Sequence, residues 1–208
     1  MIEATSPISA IFDGVAARMH TSSVPLRSLA VTSTLHGEGS TTVALGLALS
    51  LAGYDSSAVL LVDANWLRPS LSTEGRRPDA SGLAEYLRGE LALPDAIVPA
   101  ARKGLWLLPA GRFGEELPPL GRLATLVGDV GRQFGKMVVD LPPVLVAPAL
   151  VVPWANAVDQ TYLVMRHGTT PVGLIRRAVA ELGPAHVPQL ILNRSRLEGA
   201  ALSAAHGA

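Results

Sequence analysis

The 208-residue chain is expected to fold as an α/β domain, a mostly parallel central sheet with helices on both faces. Three observations predict this. Short apolar runs rich in β-branched residues alternate about six times with helical patterns. Three of those runs end in residues with ligand chemistry, as strands do along the carboxyl edge of an open parallel sheet. The stretch Ser28 to Gly53, SLAVTSTLHGEGSTTVALGLALSLAG, reads strand, glycine loop, helix.

In chain order, residues 1–27 form a leader. Ile8, Ile11, Phe12, Val15, Ala16 and Met19 share one helical face, which predicts a short docking helix, and Thr21 to Pro25 is a loop. Leu29 to Thr32 is a buried strand. Gly37, Glu38 and Gly39 follow, where the backbone turns tightly or approaches a ligand. Ser40, Thr41 and Thr42 open an almost wholly apolar helix carrying Val43, Leu45, Leu47, Leu49 and Leu51. Ala58 to Asp63 is a second strand ending in an acid, and Asn65 to Arg77 a surface loop. Ser81 is placed to cap a helix over Gly82 to Leu87, stopped by Gly89. Leu93 to Val98 is a short helix and Leu105 to Leu108 a strand. Pro119 to Phe134 is a long helix whose core face is Leu120, Leu123, Leu126, Val127 and Val130. Met137 to Asp140 is again a strand ending in an acid, before Pro142 and Pro143. Gln160 to Met165 is a strand, Thr170 to Leu182 a helix, and Gln189 to Leu192 the last strand, running into Asn193 and Arg194. An Ala-rich tail begins at Leu197, which divides the chain into a leader (1–27), a core domain (28–196) and a tail (197–208).

Composition narrows the function classes. An apolar fraction of 49% with 16% charged residues is that of a globular chain. Lys+Arg and Asp+Glu both number 17, so net charge argues for no nucleic-acid partner. The absence of cysteine excludes disulfides and thiolate metal sites and fits a cytoplasmic protein. MIEATSPISA lacks a signal-peptide pattern, and no run reaches the ~20 apolar residues of a membrane helix, so no direct membrane insertion is expected. So few charges predict a partner protein or an oligomer, homo- or heteromeric.

A strand feeding a glycine turn and a helix start builds a phosphate cradle, because free amide N–H groups and the positive end of the helix dipole converge there. The usual lysine before the Ser/Thr is missing: Ser40 stands in its place. Asp63 and Asp140, at the same sheet edge, have the oxygen chemistry to hold Mg²⁺ beside phosphates. A Gly-x-Gly between strand and helix also fits a plain tight turn, and acids at strand ends also cap turns.

The segments LAVTSTLHGEGSTT, VLLVDANWLRPSL, GLAEYLRGE, LWLLPAG, MVVDLPPVL, YLVMRHGTTP and LILNRS occur in this order. Together, over Ile8 to Arg196, they resemble the bacterial tyrosine kinase (BY-kinase) domain of capsule and exopolysaccharide systems. That domain is a branch of the MinD/ParA-type phosphate-loop proteins, with the deviant Walker A loop of that group. The resemblance implies ATP or ADP with Mg²⁺ as cofactors. It makes Gly37, Glu38, Gly39, Ser40, Thr41 and Thr42 the Walker A loop, with Thr41 at the Mg²⁺ position. Asp63 and Asp140 become the acids of Walker A′ and Walker B, metal-holding and catalytic if the protein is active, and Asn193 with Arg194 the adenine-facing segment. It further implies a membrane-bound polysaccharide chain-length regulator or secretion complex as partner, recruiting the protein to the inner face of the membrane.

The departures from that family matter as much. Besides Ser40, Asn65 replaces the second acid of Walker A′ and Leu67 its arginine, although Arg68 and Pro69 match the next two positions of that motif. Ala10, Asp13 and Ala16 stand where the family's leader carries a Glu/Arg ring-assembly motif. The tyrosine-rich C-terminal tail of the family has no counterpart, since the tyrosines are Tyr54, Tyr86 and Tyr162. A charge-assisted bond to phosphate contributes roughly 1.5–3 kcal/mol, so losing the lysine lowers ATP affinity about ten- to a hundredfold. The expectation is therefore a degenerate, scaffolding member of the exopolysaccharide pathway with weak or no kinase or ATPase activity. The alternatives are an active kinase or ATPase that compensates for Ser40 through Arg68, His36 or a partner's cation, a MinD/ParA-type positioning ATPase, and a small-molecule ligase of the same superfamily.

Overall fold

A computed structural model describes residues 12–14, 16–17, 26–54, 58–74, 80–114, 116–184 and 187–194. The tail beyond Arg194, and most of the leader, lie outside these. In order the elements are β1 (Ser28–Ser33), α1 (Ser40–Tyr54), β2 (Val59–Asp63), α2 (Ser70–Glu74), α3 (Leu83–Arg88), α4 (Leu93–Ala96), β3 (Val98–Pro99) and β4 (Leu105–Leu108). A 3-10 turn over Leu120–Arg122 leads into α5 (Leu123–Gln133), then β5 (Lys136–Asp140), α6 (Pro148–Ala157), β6 (Gln160–Arg166), α7 (Val172–Leu182) and β7 (Gln189–Asn193).

The seven strands form one sheet in the order β3-β4-β2-β5-β1-β6-β7. Every pairing is parallel except that of the two-residue edge strand β3. The central strands β1, β2 and β5 are buried along their whole length, as expected where helices cover both faces. Alternation divides their side chains. Ala30, Leu60, Val62, Met137 and Val139 face a core shared with α3 to α7, while Leu29, Val31, Leu61 and Val138 face α1. Since α1 is apolar nearly all round, its outer side also needs cover. The leader supplies some: Phe12 and Ala16 join the α1 core, the Phe12 ring lies against Gly46, and the Ser50 hydroxyl donates to Asp13 at 2.5 Å.

The expected architecture holds, with local differences. The segment after Asp63 is not all loop: Ser70–Glu74 forms α2, with the Ser72 backbone N–H and hydroxyl held by Asp63. The first turn of the expected 119–134 helix is 3-10, starting after Pro119. Ser81 makes no cap; Gly82 is the N-cap of α3, and Glu85 reaches back to accept the Gly82 N–H at 2.8 Å. The helix expected from Thr170 begins at Val172 instead, with Pro171 as N-cap. The sequence pattern does not predict α6. Its run, PALVVPWANA, carries two prolines, yet Pro148 occupies the first turn, where no N–H is needed, and Pro153 is accommodated inside the helix.

Candidate functional site

The carboxyl ends of β1, β2, β5, β6 and β7 share one edge, and the predicted site residues gather there. Asp63 and Asp140 are register partners at the ends of β2 and β5. β5 also pairs β1, so the acids stand beside the strand that feeds the glycine loop.

Gly37 and Gly39 adopt φ of 79° and 98°, backbone that residues with a Cβ avoid, and this turns the chain from β1 into α1. Between them Glu38 is a buried keystone. Its Oε2 accepts the N–H groups of Thr34 and Leu35 at 2.8 and 2.9 Å, and its Oε1 accepts the Thr170 hydroxyl. Thr170 Oγ1 in turn accepts the Arg166 N–H at 2.9 Å, which fastens the loop to the end of β6. From β7, Asn193 Nδ2 donates to the Glu38 carbonyl at 2.7 Å and lies across Gly39, where an added Cβ would stand 2.3 Å from it. Arg194 follows, exposed and at φ 57°. Ser40 opens α1 and is buried, whereas Thr42 faces solvent.

Thr41 is the hinge of the chemistry. Its hydroxyl donates to Asp140 Oδ2 at 2.7 Å. Asp140 Oδ1 is buried without a hydrogen-bond partner. Burial, reinforced by the neighbouring Asp63 charge and opposed by the Thr41 bond, pushes the Asp140 carboxyl up to about 8. Asp63 is better satisfied: Oδ2 accepts from the Ser72 N–H and hydroxyl, and Oδ1 accepts the Asn65 N–H at 3.3 Å. Burial still raises its pKa, against those hydrogen bonds. Among the described residues no group of three His, Cys, Asp or Glu could hold a metal alone. The set Thr41, Asp63 and Asp140 fits Mg²⁺ as a partial shell to be completed by water and phosphate oxygens, and the orphaned Asp140 Oδ1 is the oxygen such an ion would satisfy.

Of the positions that depart from the family pattern, Asn65 is buried, its Oδ1 accepting the Arg68 N–H at 3.3 Å, and Leu67 and Arg68 are exposed. The chain has only two lysines, Lys103 and Lys136. Lys136 is the first residue of β5, at the strand end opposite Asp140, and donates to the Leu26 carbonyl; Lys103 precedes β4 on that same far edge. Neither can serve the loop. Among the described residues, basic side chains at or following strand carboxyl ends include His36, Arg68, Arg112, Arg166, His167 and Arg194.

Sequence reasoning misses Ser72 and Thr170, which position Asp63 and Glu38. Neither lies in a spacing pattern; each is recruited by the fold, although a carboxylate buried in the middle of a glycine loop does call for donors nearby. The tyrosines whose side chains are described are core residues. Tyr86 is 3% exposed, with its hydroxyl donating to Asp129 at 2.9 Å, and burial and that carboxylate push it up to about 12. Tyr162 is 4% exposed.

No family model matches the chain. The succinoglycan biosynthesis transport protein ExoP of Rhizobium meliloti is 32% identical over 159 residues, which is 72% of this chain but 20% of that protein. The tyrosine-protein kinase CpsD of Streptococcus agalactiae serotype III is 29% identical over 178 residues, covering 82% of this chain and 75% of that one. Among solved structures, the VpsO kinase domain superposes with a TM-score of 0.79 at 27% identity, covering 91% of this chain and 95% of that one.

Proposed function

Taking the chain as a member of the bacterial tyrosine kinase family within the MinD/ParA-type phosphate-loop proteins, we propose that it is a component of exopolysaccharide or capsule biosynthesis and export that binds ATP or ADP with Mg²⁺ weakly and acts as a scaffold. Pathway and nucleotide come from its relatives: a succinoglycan biosynthesis transport protein and tyrosine-protein kinases. The observation that carries the weak-catalysis reading is Ser40, buried at the opening of α1, together with two lysines that both lie at the far edge of the sheet.

The geometry of the site supports the following roles. Free amides of Gly37 to Thr42 and the α1 N-terminus bind phosphate oxygens. Thr41, Asp63 and Asp140 hold the ion, which when bound neutralises phosphate charge. Asn193 and Arg194 meet the base. What is missing is the ammonium that would stabilise a transferring phosphoryl group. Tyr86 and Tyr162, being buried, cannot serve as acceptors in the folded protein. The partner in this reading is a membrane-bound chain-length regulator or secretion complex, which holds the protein at the cytoplasmic face of the membrane. Isothermal titration with Mg-ATP tests the reading. Wild type binds weakly and turns over little or no ATP, and Ser40→Lys gains about ten- to a hundredfold in affinity. Tight binding and brisk hydrolysis by wild type, unchanged in Ser40→Lys, would sink it.

A further inference from the structure

Balanced overall charge hides an uneven distribution. Between Gln160 and Arg194 the chain carries four arginines and one acid, Glu181, whereas the whole chain has 17 of each sign. Arg176 and Arg177 lie exposed on α7, and Arg194 is exposed at the end of β7. Among the described residues no acid pairs with any of the three. Among the described residues, the same flank holds four of the eight large exposed apolar side chains: Val172 at 65%, Val187 at 79%, Leu190 at 55% and Leu192 at 49%.

These leucines are out of place for this kind of sheet. Leu190 pairs in register with Leu163, which is fully buried on the α7 side, and Leu192 pairs with Met165. Parallel strands are normally covered on both faces. Here β7 is the outermost strand, and α7 buries Ala178 and Leu182 inward while leaving Leu190 and Leu192 bare. Apolar side chains projecting beside unpaired arginines match an interface where hydrocarbon and negative charge meet. A second copy of the chain would set arginine against arginine on such a face.

We infer that the α7–β7 flank is a peripheral docking face for anionic phospholipid, seated at the headgroup level without insertion. Val172, Val187 and the two leucines reach the acyl boundary, and Arg176 and Arg177 meet headgroup phosphates. The inference rests on the membrane-associated reading of the function and deepens it, because the chain then adds its own contact to whatever the partner supplies.

Co-sedimentation of the full chain, without nucleotide, tests it using vesicles of phosphatidylcholine alone and of phosphatidylcholine mixed equally with phosphatidylglycerol. Binding is expected to the anionic vesicles only and to weaken as salt rises. Arg176→Glu with Arg177→Glu lowers the partition at least about twenty-five-fold, at roughly fivefold per arginine lost. Val172→Ser, at an exposed position on the helix, lowers it severalfold. Lys103→Glu, at the opposite edge of the sheet, leaves it unchanged, and thermal melts confirm that each variant is folded. Absence of binding to anionic vesicles, or binding indifferent to Arg176 and Arg177, overturns the inference. Affinity for an acidic protein with none for vesicles overturns it too and assigns the flank to a protein partner. The assay needs no nucleotide, so its failure is distinct from failure of the weak-nucleotide reading, which calorimetry with Ser40→Lys decides.

Discussion

The side-chain amide of Asn193 donates to the backbone carbonyl of Glu38 at 2.7 Å, joining residues 155 apart in sequence. The last strand thereby holds the glycine loop of the first. Asn193 Oδ1 also accepts the Arg194 N–H at 2.8 Å, so Asn193→Ala should cost about 1–3 kcal/mol, two net hydrogen bonds. Gly39→Ala should cost at least about 2 kcal/mol, because its φ is unfavourable for alanine and the new Cβ displaces the Asn193 amide. In an Asn193→Ala background the Gly39→Ala penalty shrinks to the backbone part. Denaturant melts of the double-mutant cycle measure that coupling, and strict additivity would contradict the contact.

Asp140 predicts a pH dependence with a definite sign. Its carboxyl holds a proton more tightly in the native state, up to about 8, than in the unfolded chain. Its stabilising contribution is complete below the unfolded value, about 4, and is lost as pH rises through about 8. Asp140→Asn removes that decline, so the variant should out-melt wild type near pH 8 and approach it near pH 5. Mg²⁺ with nucleotide should recover wild-type stability at the higher pH and leave the variant unmoved. Scanning calorimetry across that range reads both effects.

The leader contact produces a change of sign. Gly46 sits mid-helix in α1, where alanine ordinarily gains about 1 kcal/mol. A Cβ there would stand 2.3 Å from the Phe12 ring. Gly46→Ala should therefore destabilise the wild-type protein yet stabilise the Phe12→Ala variant. The same sign in both backgrounds would mean that the leader does not pack on α1 in solution.

Tyr86 gives a negative prediction. Mass spectrometry of the folded protein after incubation with Mg-ATP should find no phosphate on Tyr86 or Tyr162, both buried. Tyr86→Phe should cost about 1 kcal/mol through the bond to Asp129. Stoichiometric phosphorylation of either residue would contradict its place in the core.

Much of the fold is legible in the sequence because its central strands are short, apolar and fully buried, a pattern that survives without knowledge of tertiary contacts. β1, β4 and β6 fall within a residue or two of their expected ends. The gathering of Gly37 to Thr41, Asp63, Asp140 and Asn193 along one edge is legible too, since parallel strands share a carboxyl edge whatever their order. α6 is not, because Pro153 inside an apolar run counts against a helix locally and only packing against the core overrides it. Ser72 and Thr170 are equally hidden. Their role arises from where Asp63 and Glu38 aim their oxygens, which no linear spacing encodes. The α7–β7 flank is masked by averaging over the whole chain: the arginine excess between Gln160 and Arg194 can be read locally, but that Leu190 and Leu192 lie bare beside it follows only from the place of β7 at the sheet edge.

The placement of the two lysines has a practical consequence. Lys136 is buried and engaged with the Leu26 carbonyl, while Lys103 is exposed in the turn before β4. Among the described side chains, amine-reactive chemistry thus has a single accessible target, on the sheet edge opposite the glycine loop. A fluorophore or sensor surface coupled through Lys103 would present the loop, Asp63, Asp140 and Asn193 outward, so ligand titrations could be run on tethered protein without the linkage obstructing the site being titrated.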